Sequence, residues 1–176
     1  KAEYYNGDIP WLIIEDLNDG LVTKSLKTIT LKGLANSSAK LLEPGTLLVA
    51  MYGSIGKLGI TGFKCATNQA IAFCKINSDI AFIKYVFYYL GFVRPKLTDE
   101  GRGGTQQNIS QTILKDFPIP LPPLERQKEI THQLERADRL RRLRSYALEV
   151  SDRYLQGIFL ELFGDPSSNP KGWDKS

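Results

Sequence analysis

The sequence predicts an α+β fold, a globular domain of short strands and a few helices followed by a long, coiled-coil-forming α-helix. Residues 1–122 contain short apolar or β-branched runs separated by turn residues, without the regular strand–helix alternation of a parallel sheet. Residues 124–163 contain no proline and a single glycine, and their apolar residues recur every three or four positions. We therefore expect three segments, at 1–122, 123–163 and 164–176.

Several short elements are predicted inside the first segment. Apolar residues at positions 80, 83, 87 and 90 form one face of a helix, with Ser78 and Asp79 as its cap and Gly91 as its end. A second short helix is predicted at 110–115. Apolar or β-branched runs bounded by turn residues predict strands at 11–14, 46–52 and 70–76.

A proline-rich run at 118–123 separates the domain from the long helix. Four prolines in six residues make this run extended and stiff, and Pro123 suits the first position of a helix. The helix carries an apolar stripe, which needs its own domain, another helix of the same protein or a partner chain to cover it. The residues of the stripe are Ile130, Leu134, Ala137, Leu143, Ala147, Val150 and Tyr154.

The distribution of charge suggests a polyanionic partner. The chain has 23 Lys and Arg against 19 Asp and Glu, a net charge of only +4. Residues 20–78, however, carry seven lysines and a single acid, Glu43. Such a stretch raises the local positive potential and attracts polyanions. A lysine-rich surface that is simply solvated is the alternative.

The sequence offers no recognisable catalytic or metal-binding set. Cys65 and Cys74 lack the spacing of a zinc site, and His132 is the one histidine available to help them. We find no Ser-His-Asp set and no paired carboxylates, and no apolar run approaches the roughly 20 residues that span a bilayer. We therefore expect a binding protein without metal or cofactor, with reduced cysteines, in the cytoplasm and not in a membrane.

Two glycine-rich segments are candidates for contact with nucleic acid. Residues 53–57 read GSIGK, but Met51 and Leu58 stand where a nucleotide-binding phosphate loop needs glycine and a hydroxyl. We interpret the segment as a turn between strands, whose backbone amides and Lys57 meet a phosphate of a larger polymer. Residues 101–108 read GRGGTQQN, and Arg, Gln and Asn can read base edges. A flexible polar loop is the alternative there.

Five arginines crowd the middle of the long helix, at positions 136, 139, 141, 142 and 144. Acidic residues are interleaved with them, which favours a solvated face crossed by salt bridges. Binding to a partner is the alternative.

Six segments together resemble one known family. They read GDIPWL at 7–12, SAKLLEPGTLL at 38–48, GSIGK at 53–57, NQAI at 68–71, GGTQQNIS at 103–110 and PIPLPPLERQ at 118–127. Each segment is a weak signal, but their order resembles that of the specificity (S) subunit of bacterial type I restriction–modification enzymes.

The resemblance implies a DNA-recognition subunit with no catalytic activity of its own. Residues 1–122 would be a target recognition domain, 123–163 a conserved spacer helix, and 164–176 a linker and the start of a second recognition domain. Such a subunit reads one half of a bipartite target in double-stranded DNA with each domain. It positions the methyltransferase (modification) and restriction (motor-nuclease) subunits, to which S-adenosylmethionine, ATP and Mg²⁺ would belong.

The chain departs from the family in having one such unit where the usual subunit has two. It is therefore either a fragment of a two-domain subunit or a natural half-subunit. In a one-unit chain, the apolar stripe predicts an antiparallel homodimer through the long helix. We expect DNA contacts from Lys24, Lys27, Lys32, Tyr52, Ser54, Lys57, Arg102, Thr105, Gln106 and Gln107. A non-catalytic coiled-coil scaffold protein with a small β-rich head is the alternative function.

Overall fold

A computed structural model of the chain describes residues 1–100, 108–165 and 167–172. It divides into two compact units, Lys1–Thr131 and His132–Ser176. The predicted α+β class is confirmed: the first unit contains eight described strands and several helices, and a long helix follows. In chain order, the elements are β1 (Tyr5–Leu12), β2 (Gly20–Val22), β3 (Lys27–Ile29), α1 (Leu31–Ala35), β4 (Leu41–Leu42), β5 (Leu47–Ala50), β6 (Leu58–Thr61), β7 (Cys65–Thr67), β8 (Ile71–Cys74), α2 (Ile83–Phe92), α3 (Arg94–Glu100), α4 (Gln111–Asp116) and α5 (Leu124–Phe163), with short 3₁₀ helices at Ala2–Tyr4 and Ile14–Asp16.

The strands form two four-stranded mixed sheets. The first sheet has the order β3-β1-β7-β4, and the second has the order β2-β6-β5-β8. In the second sheet β5 pairs antiparallel with both β6 and β8, and β2 pairs parallel with β6. Such mixed pairing fits the absence of a strand–helix repeat in the sequence.

Strand β5 contributes to two hydrophobic cores at once, and all four of its residues are buried. Leu47 and Val49 face a first core that contains residues of α2, α3 and α4. Leu48 and Ala50 face a second core with residues of β1, β2 and β7. Successive side chains of a strand point to opposite faces, so a continuous apolar run is what a strand buried on both sides requires.

The predicted strands and short helices are present with shifted bounds. The runs at 46–52 and 70–76 contain β5 and β8, and the run at 11–14 overlaps the end of β1. The helix predicted from residue 80 begins at Ile83, and it continues through Gly91 to Phe92. Helix α4 follows Ser110, whose hydroxyl oxygen accepts a hydrogen bond from the Ile113 N–H at 3.2 Å.

The late start of α2 has a tertiary cause. The Phe82 N–H, immediately before the helix, donates to the Gln127 side-chain oxygen at 2.8 Å. The Gln127 amide nitrogen donates to the carbonyls of Ile80 (2.9 Å) and Pro122 (2.7 Å). Gln127 is fully buried and lies in the first two turns of α5. These turns thus belong to the first unit, which extends past the predicted boundary at 122.

In the second unit, α5 continues from His132 to Phe163 and then ends in a turn. Gly164 has a left-handed φ of 75°, and its N–H donates to the Leu160 carbonyl at 2.9 Å. The Lys171 ammonium donates to the carbonyls of Glu161 and Leu162, at 2.6 and 2.7 Å. A glycine in this conformation and a cation at the last carbonyls are both typical of a helix end. Within the described part of the chain, no helix is long and apolar enough to span a membrane.

We predict that Gln127→Leu lowers the free energy of unfolding by about 2 kcal/mol, because it leaves partly buried backbone groups without their partner. Urea denaturation measures the change. Gln133→Leu, on an exposed position of the same helix, is the control and should change stability by less than about 0.5 kcal/mol. Equal effects of the two substitutions would contradict the structural role of Gln127.

The two cysteines should differ in reactivity. Cys65 is buried in β7, and burial, with a smaller effect from the Asp16 charge, raises the pKa of its thiol to about 11. Cys74 is exposed at the end of β8, and partial burial of its sulfur also raises its pKa. Since the thiolate is the reactive form, alkylation of the native protein by iodoacetamide should be slow at neutral pH and accelerate with rising pH. Mass spectrometry should find the label on Cys74 alone until urea unfolds the chain, and rapid native labelling of Cys65 would contradict its burial.

Candidate nucleic-acid interface

The predicted turn between strands is present and joins β5 to β6. We call residues 51–57 the glycine turn. Gly53 and Gly56 have positive φ angles of 63° and 72°. The Gly56 N–H donates to the Ala50 carbonyl at 2.9 Å, and the Lys57 N–H donates to the Ser54 carbonyl at 3.0 Å. Tyr52, Gly53 and Ser54 are exposed, so the tip of the glycine turn faces solvent.

The structure brings the glycine turn next to the end of the second glycine-rich segment. Tyr52 and Asn108 form an antiparallel β-bridge, and the Ile109 N–H donates to the Met51 carbonyl at 3.0 Å. These two segments are more than 50 positions apart, and nothing in the sequence indicated that they lie next to each other. Arg102, Thr105, Gln106 and Gln107 lie outside the described residues, so their contacts with DNA stay predictions.

An ion pair supports the other arm of the glycine turn. The Arg94 guanidinium donates to both carboxylate oxygens of Asp19, at 2.5 and 3.2 Å. Asp19 in turn exchanges two hydrogen bonds with Leu58, the first residue of β6. The Asp19 N–H donates to the Leu58 carbonyl at 3.0 Å, and the Asp19 carboxylate accepts from the Leu58 N–H at 2.9 Å. Asp19 is thereby attached to both β6 and α3.

Arg94 also covers Gly56. A Cβ atom added at Gly56 would lie 2.8 Å from the Arg94 Cγ atom, which is closer than side chains approach one another. Glycine is therefore favoured at position 56 for two reasons, its left-handed backbone conformation and the space that the arginine occupies.

Sequence reasoning missed both members of this ion pair. Asp19 precedes Gly20 and has a φ of 54°, and an Asp-Gly pair is a turn signal that could have indicated its conformation. No local signal could have indicated its bond to Arg94, because the two residues are 75 positions apart.

Lys57, predicted to contact phosphate, has an additional contact within the domain. Its ammonium donates to the Ile14 carbonyl at 3.3 Å, and the side chain is half-buried. This bond connects the glycine turn to the 3₁₀ helix Ile14–Asp16. An ammonium has three donors, so the bond to Ile14 leaves the phosphate contact a prediction.

Lys24, Lys27 and Lys32 are exposed and belong to a different part of the fold. Lys27 begins β3, at the edge of the first sheet, whereas the glycine turn belongs to the second sheet. Lys32 is in α1 and pairs with Glu3 at 2.7 Å. An exposed pair of this kind is weak, so it does not prevent Lys32 from contacting another anion.

Other surfaces of the first unit are less suited to DNA. A cavity of about 590 Å³ lies beside β8 and is lined mainly by apolar side chains of β5, β8, α2 and α4. Such a lining does not suit a polyanion.

Within the described ranges, no cluster of three His, Cys, Asp or Glu side chains could hold a metal ion.

The predicted apolar stripe of the long helix divides between the two units. In the first unit, Ile130 is half-buried against the first core, and its part in a seam stays a prediction. In the second unit Ala137 and Ala147 are exposed, and the larger stripe residues are between 40% and 69% exposed: Leu134, Leu143, Val150 and Tyr154. The last two turns carry further exposed apolar side chains that the stripe did not include: Phe159, Leu160, Leu162 and Phe163.

The arginine-rich part of α5 has the salt bridges expected of a solvated face. Asp138 accepts hydrogen bonds from Arg141 and Arg142, each at 2.8 Å. Further along the helix, Arg153 pairs with Glu149. These contacts join residues three or four positions apart, as on a solvent-exposed helix.

Comparison with known proteins identifies the family. Residues 1–148 match the family described as the type I restriction modification DNA specificity domain, and the chain belongs to this family. This match confirms the resemblance found in the sequence and covers the first unit and part of the long helix.

Curated relatives come from an archaeon and a bacterium. The chain is 27% identical over 193 residues to the type I restriction enzyme MjaIX specificity subunit of Methanocaldococcus jannaschii, covering 98% of this chain and 44% of the relative. It is 32% identical over 105 residues to the putative MjaX specificity subunit of the same organism, covering 60% of this chain and 25% of the relative. It is 26% identical over 147 residues to the EcoR124I/EcoR124II specificity subunit of Escherichia coli, covering 80% of this chain and 36% of the relative. The chain thus spans less than half the length of these relatives.

Solved structures share the fold. One, from a study of complex assembly and conformational transition of the type I R-M system, has a TM-score of 0.73 at 21% identity and covers 90% of this chain and 38% of its own. The HsdS subunit of Thermoanaerobacter tengcongensis has a TM-score of 0.60 at 21% identity, and the match covers 83% of this chain and 34% of that subunit.

Proposed function

We propose that this chain is a DNA-recognition unit of a type I restriction–modification enzyme, reads one half of a bipartite target and performs no catalysis itself. The observation that carries the proposal is the family match over residues 1–148, which spans the first unit and enters the long helix. The relatives are specificity subunits, and a protein with this role needs a surface for DNA and a surface for its partner subunits.

The glycine turn and the adjoining segment at Asn108 are the proposed surface for DNA. Tyr52 and Ser54 are exposed there, and glycines allow the backbone to approach a nucleic acid closely. In this proposal Lys57, with Lys24, Lys27 and Lys32, contacts phosphates, which fix the position of the domain on the duplex. Arg102, Gln106 and Gln107 lie near base edges and supply sequence preference. Gln106 and Gln107 belong to a motif shared in the family, so they hold the loop in shape if they do not read DNA.

The long helix is the proposed spacer and assembly surface. In this proposal the methyltransferase and restriction subunits join the complex, and they would hold S-adenosylmethionine, ATP and Mg²⁺. The complex acts where cellular DNA is, in the cytoplasm. In a longer protein a second helix of the same chain would cover the stripe. In the chain as given, a second copy of α5 takes that place.

Selection from a pool of random-sequence DNA duplexes tests the proposed function. The bound fraction is sequenced, and binding is also titrated with salt over a range of about 50–200 mM. We expect enrichment of a short motif and an affinity that falls steeply with salt, because each neutralised phosphate releases counterions. A coiled-coil scaffold protein, the alternative, would enrich no motif and would not bind DNA with a steep salt dependence.

We predict that Lys57→Ala weakens binding to all duplexes alike and lowers the salt slope by about one unit. The reason is the loss of one phosphate contact, and fluorescence anisotropy at several salt concentrations measures it. Lys64→Ala is the control, because Lys64 is an exposed lysine that is not among the proposed DNA contacts. An unchanged affinity and salt slope would show that Lys57 serves only the fold, through its bond to Ile14.

We predict an antiparallel homodimer through α5. Each copy exposes a long apolar stripe, and its burial is worth about 25 cal/mol per Å². Antiparallel pairing about a two-fold axis lets the same surface of both copies meet. Light scattering should give twice the mass of one chain.

Substitutions on the helix test the interface. Leu134→Glu with Val150→Glu should give a monomer, because it places charges in the stripe. His132→Glu with Ser145→Glu adds the same number of acids at exposed positions outside the stripe and should leave the dimer intact. A monomer for the unsubstituted chain at high micromolar concentration would rule out the dimer.

A further inference from the structure

We propose that Arg94 is a positioning residue that, through Asp19 and Gly56, orients the exposed tip of the glycine turn so that Tyr52 and Ser54 meet base edges and add to the sequence preference. This inference rests on the proposed function and assigns a role to two residues that neither the sequence motifs nor the family match indicate. Three observations support it: how the glycine turn is held, where the arginine side chain lies, and which donors it has already used.

The glycine turn is held on each arm by a different distant segment. On the arm that leaves β5, Met51 and Tyr52 bond to the backbone at Asn108 and Ile109. On the arm that enters β6, Asp19 exchanges two hydrogen bonds with Leu58. The exposed tip lies between two fixed arms, so its direction depends on both.

Arg94 connects the second arm to α3. Its guanidinium engages both carboxylate oxygens of Asp19, and its aliphatic part occupies the space beside Gly56. Two terminal nitrogens engaging one carboxylate define an orientation as well as a distance. Helix α3 begins at Arg94, so this side chain links the first residue of the helix to the glycine turn.

The environment of Arg94 favours positioning over direct contact with phosphate. Its side chain is 33% exposed, and its charge is already paired with Asp19. The Nε atom is buried and has no hydrogen-bond partner among the described residues. An arginine that contacts phosphate needs donors free at the surface, whereas both terminal nitrogens of Arg94 already donate to Asp19.

A positioning residue and a phosphate contact give different results in DNA binding. Loss of a phosphate contact lowers affinity for every sequence and reduces the salt slope. Loss of a positioning residue reorients the exposed tip with Tyr52 and Ser54, so it changes the preferred bases. The salt slope stays the same, because Lys57 is held by its own bond to the Ile14 carbonyl and keeps its phosphate contact. A purely structural role changes stability without changing base preference once measurements are made well below the unfolding temperature.

Three substitutions in the chain as given separate these possibilities. Asp19→Asn removes the charge while keeping an oxygen for the Leu58 N–H. Arg94→Met removes the ion pair while keeping an apolar chain beside Gly56. Gly56→Ala leaves both charges and displaces Arg94. Gly45→Ala is the matched control, because Gly45 also has a positive φ, 80°, but open space around the position of a Cβ, and it lies outside the glycine turn.

The probe is the pool of random-sequence duplexes, with motif enrichment, affinity for the unselected pool and salt slope measured for each variant. We expect Asp19→Asn, Arg94→Met and Gly56→Ala to reduce discrimination at one or more motif positions by about tenfold. Affinity for the unselected pool and the salt slope should match the unsubstituted chain. Gly45→Ala should keep the original motif even though its strained backbone lowers thermal stability.

Different results from variants that fold overturn the proposal. An unchanged motif in all three variants, or a changed motif in Gly45→Ala as well, would leave Arg94 with a role in stability only. A lowered salt slope with an unchanged motif would make Arg94 a phosphate contact. If Arg94→Met does not fold, Asp19→Asn and Gly56→Ala decide. If the unsubstituted chain enriches no motif, the proposed function itself fails, and the positioning role fails with it.

Discussion

The burial of β5 on both faces is the constraint on which the rest of the first unit depends. Leu47 and Val49 pack into one hydrophobic core, and Leu48 and Ala50 pack into the other. A polar residue at any of these four positions would place an unsolvated group inside a core. The strand therefore fixes where both cores lie, and it fixes the glycine turn that leaves its carboxyl end. The candidate DNA surface is thus an extension of a strand that is buried along its whole length, which gives an exposed turn a rigid base.

Polar groups complete this arrangement where the apolar cores end. Thr46 and Thr61 are both buried, and their hydroxyls donate to the Glu43 carbonyl at 2.7 and 2.8 Å. The buried Gln127 side chain likewise bonds to backbone groups: its oxygen accepts from the Phe82 N–H before α2, and its nitrogen donates to the Pro122 carbonyl in the proline-rich run. Because its bonds to the Phe82 N–H and to the Pro122 carbonyl fix the first turns of α5 to the domain, the junction between domain and helix is a specific contact.

The sequence by itself determined the fold class, the position of the long helix and the family. These features are local or repetitive: β-branched runs, a helix period sustained over 40 residues, and short motifs in a fixed order. The turn at Gly53 and Gly56 was also predictable, because two glycines between apolar runs have few other uses. The bounds of α2 were less accurate, because a side chain 45 positions away, that of Gln127, decides where that helix begins.

Only the tertiary structure decided which distant residues meet at the candidate site. The bridge between Tyr52 and Asn108 and the pair of Asp19 with Arg94 join segments more than 50 positions apart. No periodicity or spacing encodes such contacts, since they follow from how the two mixed sheets and helices α2, α3 and α4 pack around the two cores. The sequence showed that Lys57 is charged and near a turn, but its bond to the Ile14 carbonyl required the fold. A local pattern specifies a local conformation, whereas a candidate site assembled from distant segments exists only once the cores have formed.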